Sequence, residues 1–364
     1  MKSLICFKTL LCVFSLFRMN NAVAQDSAVQ KPLVFSGYAE GYYGYDFNKP
    51  ANNDRPAFIY SHNRHNEFAV NLAFVKAAYA SGRVRANVAM AAGTYMNANY
   101  AAEPGTFQNV LEANAGYKIS RKKDLWFDIG IFPSHIGFEG AVSKDCWTLT
   151  RSMAAENSPY FESGGKVTYN TDNKKWLFSI MALNGWQRIR RVDGNSLMSF
   201  GTQVQYKPSG DLLFNYSSFI GTDKPDSNRL MRYFHNLYST VNLSAKLGLT
   251  AGFDYGLEQT SPKSKTMNSW YTPVVILRYK PAEQWAIAAR GEYYDDEKGV
   301  IISAGAMPGF KASGISVNID YLPEQNIALR LEAKTFKSKE AEFIKGQGFI
   351  ERNTAVTFSA AVSF

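Results

Sequence analysis

Apolar and polar residues alternate one by one in many stretches of about ten residues along this chain. In one stretch the apolar residues Val84, Val88 and Met90 alternate with Arg85 and Asn87. Successive side chains of a strand point to opposite faces, so a period of two predicts strands with one apolar and one polar face. The same period recurs over residues 68–74, 125–131, 200–206, 315–321 and 327–333.

The stretch 68–74 shows what the alternation implies for single side chains. Phe68, Val70, Leu72 and Phe74 fall on one parity and Asn71 on the other. We therefore expect the four apolar side chains on the outer face of a sheet and Asn71 on the inner face.

Connections of two lengths separate the predicted strands. Short turns lie near 81–82, 121–124, 171–173, 208–210, 281–283 and 323–324. Longer polar loops lie near 48–65, 99–107, 133–160, 187–196, 222–232, 260–268, 296–309 and 338–351. Eight long loops predict eight hairpins, and therefore about sixteen antiparallel strands with short periplasmic turns and longer extracellular loops.

The apolar content fits strands that cross a membrane. After residue 24 no apolar run is long enough for a transmembrane helix, whereas aromatic residues make up 14% of the chain, mostly as 21 Tyr and 25 Phe. Lipid offers the backbone no hydrogen-bond partners, so strands cross it only as a closed barrel. The sequence predicts an all-β fold, a closed antiparallel transmembrane β-barrel.

The two ends of the chain indicate the compartment. A short apolar run over 10–17 is followed by Ala22 and Ala24 in a small-x-small pattern, which predicts a signal peptide over 1–24 and a barrel over 25–364. Its removal takes three basic residues and two cysteines, which lowers the net charge from +9 to +6 and leaves Cys146 as the single cysteine. The last residues alternate up to Phe364, as in a terminal strand read by the outer-membrane assembly machinery. We expect the outer membrane of a Gram-negative cell.

Ionisable residues on the polar parity are candidates for the wall of a pore, because sixteen strands enclose a water-filled lumen. On the lipid face each basic residue would cost about 2–4 kcal/mol at mid-depth. These side chains would set ion preference, with the arginines favouring anions, or would form a lattice of cross-strand ion pairs; both interpretations stay open. The candidates are Glu40, Arg83, Arg85, Asp254, Arg290, Glu292, Arg330, Glu332 and Lys334.

The longest connection, 133–160, is a candidate constriction loop. Its apolar residues would be exposed unfavourably in water, whereas folding into the lumen would bury them. The alternative is an external lid over neighbouring loops or a partner subunit. Residues expected to matter if it folds inward are Glu139, Asp145, Cys146, Trp147, Arg151 and Glu156.

Catalytic motifs of hydrolases and nucleotide-binding enzymes do not occur in the sequence. His62 and His65 lie near Asp54 and Glu67 in the first long loop. They could form a metal site or a protease-like site, but the simpler interpretation is that they are solvated loop residues. We expect no catalytic residues, no metal and no cofactor. A barrel hydrolase and a surface adhesin or scaffold remain the alternatives to a pore.

Basic residues in the loops suggest partners at the cell surface. Arg188, Arg190 and Arg191 crowd one loop, where they would attract anionic solutes or bind lipopolysaccharide phosphates. Outer-membrane lipid and small hydrophilic solutes are the further expected partners. Nucleic acid is not expected at this location, and a homo-oligomer stays open.

Several motifs together resemble those of the OmpL-like β-barrel porin family. They cover the chain after the signal segment: Gly37 to Tyr43, Asn63 to Phe68, Phe132 to Gly137, Trp147 to Ser152, Glu156 to Gly164 and Asn184 to Gln187. The resemblance implies a pore for passive diffusion of small hydrophilic solutes. It implies no particular solute and supplies no catalytic residues.

Overall fold

Antiparallel strands joined alternately by short turns and long loops make up most of the computed structural model, which describes residues 32–303 and 309–364. The predicted signal segment, 1–24, lies outside the described residues. The strands are β1 Leu33–Asp46, β2 Phe68–Ser81, β3 Val84–Ala92, β4 Val110–Lys118, β5 Asp124–Pro133, β6 Phe161–Asn170, β7 Trp176–Leu183, β8 Ser199–Ser209, β9 Leu212–Gly221, β10 Arg232–Asn242, β11 Leu247–Gln259, β12 Met267–Ala282, β13 Trp285–Asp296, β14 Phe310–Tyr321, β15 Ile327–Ser338, β16 Phe343–Lys345, β17 Gly348–Ile350 and β18 Arg352–Ser363.

Sixteen of these strands close into one barrel. Each pairs antiparallel with its neighbours in the chain, and β1 closes the ring by pairing with β18. Closure gives every strand two hydrogen-bonded neighbours and leaves no sheet edge. The predicted sixteen-stranded barrel is therefore confirmed. Strands β16 and β17 form a separate hairpin within the last long loop.

The loops carry the short helices of the fold. These are α1 Thr94–Asn99 and α2 Met153–Glu156, with 3-10 turns at Gly105–Asn109, Ser143–Asp145 and Asp226–Asn228. We call the barrel end with the long loops the loop end, and the opposite end, which carries both ends of the barrel chain, the turn end. No helix among the described residues combines the length and the apolar character needed to cross a membrane.

The side-chain directions expected for residues 68–74 are partly wrong, because β2 contains a β-bulge. The register between β1 and β2 shifts at Glu40 and Gly41, which pair with Leu72 and Val70 and leave Asn71 as the extra residue. Leu72 is therefore buried inside the barrel instead of lying outside. Phe74 is also turned inward, where it stacks on Tyr38 with ring centroids 5.7 Å apart.

Apolar packing lies inside the barrel as well as on its outer face. At the loop end, Phe58 of the first long loop packs against Phe310, Phe336 and Phe343. Such a cluster stabilises the loop by removing its aromatic surface from water.

Candidate functional site

The longest loop, residues 134–160, leaves the barrel wall and crosses the lumen; we call it the inner loop. Its first residue, Ser134, donates its N–H to the carbonyl of Tyr160 at 3.0 Å, so the two ends of the loop lie side by side. His135 Nδ1 lies 2.9 Å from the Glu162 carboxylate. Gly137 then donates its N–H to Asn236 of β10 at 3.1 Å, across the lumen from β5.

The middle of the inner loop reaches the turn end of the barrel. The Ser143 hydroxyl donates to the buried carboxylate of Glu40 and lies 3.0 Å from the Tyr38 hydroxyl. Lys144 Nζ lies 3.1 Å from Ser363 Oγ, the last residue of β18. The loop therefore runs through most of the depth of the lumen.

Arg290 of β13 is the main contact between the wall and the inner loop. Its guanidinium donates to the Thr148 hydroxyl and to the carbonyl of Thr150, both at 2.7 Å. It also forms ion pairs with Glu332 at 2.9 Å, Glu292 at 3.4 Å and Glu139 at 3.5 Å. Arg290 thus connects one acid of the loop with two acids of the wall.

The wall acids bind the loop backbone in turn. Glu332 accepts the N–H of Thr150 and Glu292 accepts that of Met153, each at 2.5 Å. Lys334 donates to the carbonyl of Arg151 at 2.8 Å and pairs with Glu292 at 3.0 Å. Charged groups that also satisfy backbone atoms make strong contacts, so residues 148–153 are fixed against β13 and β15.

Arg330 makes a second anchor nearer the turn end. It binds Asp320 with two hydrogen bonds of 2.7 and 3.1 Å and donates to the carbonyls of Ser143 and Cys146 at 2.5 and 3.0 Å. Its charge is thus matched within the wall, while its remaining donors hold the loop.

Inside the loop, polar side chains fix the backbone. Glu139 accepts the Ser152 N–H at 3.0 Å, and Ser152 caps α2 by accepting the N–H of Ala155 at 3.2 Å. The buried Arg151 guanidinium donates to the carbonyls of Gly140 and Leu149 at 2.7 and 2.8 Å. These contacts satisfy backbone groups that water would otherwise have to reach.

The remaining predicted site residues occupy different surroundings. Trp147 lies over Gly248 of β11 and near the Arg278 guanidinium, 5.9 Å from its ring. Asp145 is exposed. Asp254 faces the lumen from β11, where it accepts from Asn236 at 2.5 Å.

Glu156 connects the inner loop to the first long loop. Its carboxylate accepts the N–H of Tyr60 at 2.9 Å and that of Ser61 at 3.2 Å. Burial raises the pKa of Glu156 to about 7, against the opposing effect of these hydrogen bonds and of Arg151. Burial likewise raises the pKa of the Cys146 thiol.

The opposite wall, from β2 to β6, keeps contact with water. Arg85 binds Asp128 at 2.7 Å and retains 35% side-chain exposure, and Lys76 binds Glu112 at 2.8 Å with 26% exposure. Arg290 on the covered wall is 0% exposed by the same measure. The inner loop therefore covers the wall from β10 to β15 and leaves the turn-end half of β2–β6 more open.

The open wall contains residues that the sequence analysis did not select. Lys166 of β6 faces the lumen beside Asp128, its register partner, and its Nζ lies 4.2 Å from the Phe132 ring centre. Among the described residues no acid lies within ion-pair distance of Lys166. Parity alone would have added Glu112, Asp128 and Lys166 to the candidates, since each falls on the polar parity of its strand. Lys76 could not be found in this way, because the bulge at Asn71 reverses the parity of the β2 residues after it.

Arg83 does not line the lumen wall as expected. It lies in the turn between β2 and β3. Its guanidinium donates to the carbonyl of Lys118, the last residue of β4, and to that of Ile119 in the following turn, at 2.9 Å in each case. It also stacks on Tyr117, at 4.5 Å from the ring centre. A residue next to the end of a strand can turn its side chain toward the rim of the barrel. The alternation of apolar and polar residues does not predict this orientation.

The histidines of the first long loop are not gathered into a site. His62 Nε2 lies 3.2 Å from Glu40, whereas His65 Nδ1 accepts the N–H of Asp46 at 2.8 Å. Asp54 and Glu67 both pair with Arg64 instead. In the described part of the chain, no three His, Cys, Asp or Glu side chains come together as metal ligands would.

Cavities open at both ends of the barrel. One of about 780 Å³ opens at the loop end, and one of about 230 Å³, lined by Trp147 and Arg278, opens at the turn end. Between the loop and β10–β12 only about 10 Å³ remains, next to Asp254. The inner loop is thus packed closely against that side.

Comparison with known proteins gives a family and a set of similar folds. A family model described as "Putative beta-barrel porin-2, OmpL-like" matches residues 32–364. No curated protein sequence matches the chain.

Solved outer-membrane channels share the fold at low sequence identity. The channel DcaP of Acinetobacter baumannii has a TM-score of 0.56 at 12% identity, over 91% of this chain and 97% of that one. An anion-selective porin from Comamonas acidovorans has a TM-score of 0.59 at 10% identity, over 91% and 99%. OmpT of Vibrio cholerae, in a trimer form, has a TM-score of 0.56 at 11% identity, also over 91% and 99%.

Proposed function

The chain belongs to the OmpL-like β-barrel porin family, and we propose that solutes cross its barrel along the wall of β2–β6 rather than through the centre of the lumen. It is an outer-membrane porin. The observation that carries the proposed route is the difference in exposure between the two walls: Arg85 and Lys76 remain partly exposed, whereas Arg290 and Glu332 are fully buried under the inner loop. Passive diffusion of small hydrophilic solutes is expected of a route lined by polar side chains.

The inner loop is the constriction of this route in our proposal. Its contacts with Arg290, Glu332 and Arg330 hold it against one wall, so the free cross-section is confined to the other. A fixed loop would exclude large solutes by size. The charged side chains of the open wall would select among small solutes by their charge.

Lys166 gives this route a preference for anions. Arg85 and Lys76 each have an acidic partner on the wall, so they add little net charge. Lys166 lacks a partner within ion-pair distance among the described residues and leaves a local positive field. The mild anion preference expected from the sequence is therefore assigned to Lys166, and not to Arg85, Arg290 and Arg330, which are paired with acids.

Reversal potentials test the assignment. In a KCl gradient across a planar bilayer, the wild-type protein should favour chloride, and the Lys166→Gln and Lys166→Glu variants should shift the potential stepwise toward cation preference. Lys263→Glu, which makes the same charge change in an exposed loop, is the matched control and should shift it much less. Equal shifts at Lys166 and Lys263 would place selectivity outside the lumen. Absence of any conductance would instead favour the hydrolase or scaffold alternatives.

Processing and partners complete the proposal. We propose cleavage after Ala24, recognition of the terminal strand at Phe364 by the assembly machinery, and contacts of the loop arginines with lipopolysaccharide. A trimer is the favoured assembly because the fold is shared with an OmpT described in a trimer form. We assign no enzymatic activity, since the candidate acids are used in ion pairs and backbone contacts.

A further inference from the structure

A cavity of about 780 Å³ at the loop end has the size of a ligand site, for which about 300–1,000 Å³ is usual. It lies between the first long loop, the ends of β1 and β18, and the β16–β17 hairpin. The anchors of the inner loop are not part of its lining, so the cavity is separate from the constriction described above.

The walls of the cavity are held in place by internal hydrogen bonds. Asp46 accepts from Asn353 Nδ2 at 2.9 and 2.8 Å and from the Asn48 N–H at 2.9 Å. Arg55 donates its N–H to the carbonyl of Asn63 at 2.9 Å. A site that is already formed loses less entropy when a ligand binds.

Several polar atoms around the cavity have no hydrogen-bond partner among the residues described. The donors are Nε and Nη2 of Arg55, and the acceptors are Asn63 Oδ1, Glu342 Oε2 and Asn353 Oδ1. Arg55, Glu342 and Asn353 are all more than nine-tenths buried. Buried polar groups are nearly always hydrogen-bonded, so this concentration around one cavity calls for a polar ligand or ordered water.

The mixture of donors and acceptors decides the chemistry of the ligand. An anion would satisfy Arg55 but would approach Asp46, Asp54 and Glu342, which give the lining more acids than bases. A cation would satisfy the acceptors. The charge of Arg55 is matched by Asp46, whose Oδ2 lies 3.9 Å from Arg55 Nε, but a cation would still leave the N–H donors of Arg55 without a hydrogen-bond acceptor. A hydroxyl group both donates and accepts, so a neutral solute with several hydroxyls matches both kinds of atom.

Apolar side chains at the mouth fit the same class of solute. Ile344 and Phe349 of the β16–β17 hairpin line the cavity and are 58% and 40% exposed. Exposed apolar side chains beside polar groups indicate a binding surface. A sugar ring offers C–H faces for such side chains and hydroxyls at its edge for the polar ones.

We propose that this cavity binds neutral polyhydroxylated solutes of oligosaccharide size before they enter the pore. The inference rests on the proposed pore, because it assigns a substrate class to the entrance of that route. Binding at the mouth would raise the local concentration of these solutes above the constriction.

The test uses the full mature protein and maltotriose as a neutral probe, with disodium succinate as an anionic one. In planar bilayers maltotriose should interrupt the KCl current reversibly, and it should release or absorb heat when titrated into the detergent-solubilised protein. The Glu342→Ala and Phe349→Ala variants should each raise the half-blocking concentration by roughly tenfold. Lys345→Ala, on the same hairpin but outside the cavity lining, is the control and should leave it unchanged.

Each outcome bears on the proposal separately from the pore itself. Normal KCl conductance in the two variants shows that they fold, so their effect on maltotriose reports the site. Three results would each overturn the site. They are the absence of both blockade and heat with maltotriose, stronger binding of succinate than of maltotriose, and equal behaviour of Glu342→Ala and Lys345→Ala. Lack of KCl conductance would reject the pore, while the titration would still report on binding.

Discussion

Charged residues on the inner face of the barrel differ in what they contact. Arg290 and Arg330 donate hydrogen bonds to acids of the wall and to carbonyls of the inner loop. Removing one partner of such a buried pair typically costs about 3–5 kcal/mol, because the other charge stays unmatched. Lys166 is the opposite case, since its charge is not matched by an ion pair within the described residues. In our proposal, the first kind of residue holds the constriction in place, and the second is available to passing ions.

The alternation in the sequence could predict that these residues point inward but not which of them meet water. Parity is a local property and placed Arg85 and Arg290 on the same face. Burial of Arg290 arises from residues 148–150, which are far away in the chain. Arg83 shows a second limit of prediction from parity. It lies next to the end of a strand, where the parity of a residue does not determine the direction of its side chain.

Glu156 gives a prediction at the scale of one residue. Its folded-state pKa of about 7 lies above the ordinary value of 4.5, so its contribution to stability is full below pH 4.5 and is lost as the pH rises toward 7. The Glu156→Gln variant keeps an acceptor for Tyr60 and Ser61 without the buried charge. It should be more stable than the wild type at pH 8, by at most about 3 kcal/mol, and no more stable at pH 4.

Thermal unfolding in detergent micelles at both pH values measures this effect. Glu340→Gln, at an exposed position in the last long loop, is the control and should follow the wild type. A Glu156→Gln variant that shows the full pH dependence of the wild type would contradict the raised pKa.

At the scale of elements, an uninterrupted strand can be predicted from its sequence, whereas an interrupted one cannot. The alternation up to Phe364 correctly separates the outward Phe358 and Val362 from the buried Ser359 and Ala361 of β18. In β2 the bulge at Asn71 reverses the parity of the residues after it. The bulge depends on pairing with β1 around Glu40, so the β2 sequence contains no direct signal for it.

The joint between the two ends of the barrel chain gives a prediction for an element. Phe364 exchanges two backbone hydrogen bonds with Gly37, of 2.7 and 3.0 Å, and its ring covers the place where a Gly37 side chain would lie. Deleting Phe364 or introducing Gly37→Leu should therefore lower the yield of assembled barrel, because β1 and β18 close the ring. Heat-modifiable migration of outer-membrane fractions on gels measures that yield.

Gly348→Leu, in the β16–β17 hairpin outside the barrel, is the matched substitution, since open space surrounds the position of its Cβ. It should assemble at nearly the wild-type yield. Normal assembly of the Phe364 deletion would mean that closure of the ring does not depend on the terminal residue.

For the whole molecule, the count of long loops predicted sixteen strands because each loop of a meandering barrel belongs to one hairpin. The course of the inner loop could be expected only in outline from its apolar residues. Its contacts join residues of β1, β10, β13 and β15 that come together only after the barrel closes. Such contacts between residues far apart in the sequence depend on the topology of the barrel, and the local pattern of apolar and polar residues does not predict them.

Excision of the inner loop tests how the whole barrel works. The Ser134 N and the Tyr160 carbonyl oxygen are 3.0 Å apart, so a short Gly/Ser linker can replace residues 135–159 without straining the wall. The sixteen-stranded ring keeps its own hydrogen bonds, and its lumen without the loop is wide enough for water. Single-channel conductance should rise severalfold and the chloride preference should weaken, because ions would then pass farther from Lys166. Shortening the β16–β17 hairpin at 345–347, which also removes an inserted segment but leaves the lumen intact, should change neither quantity. An excised protein with wild-type conductance would show that the flow does not pass the inner loop, and the route along β2–β6 would have to be abandoned.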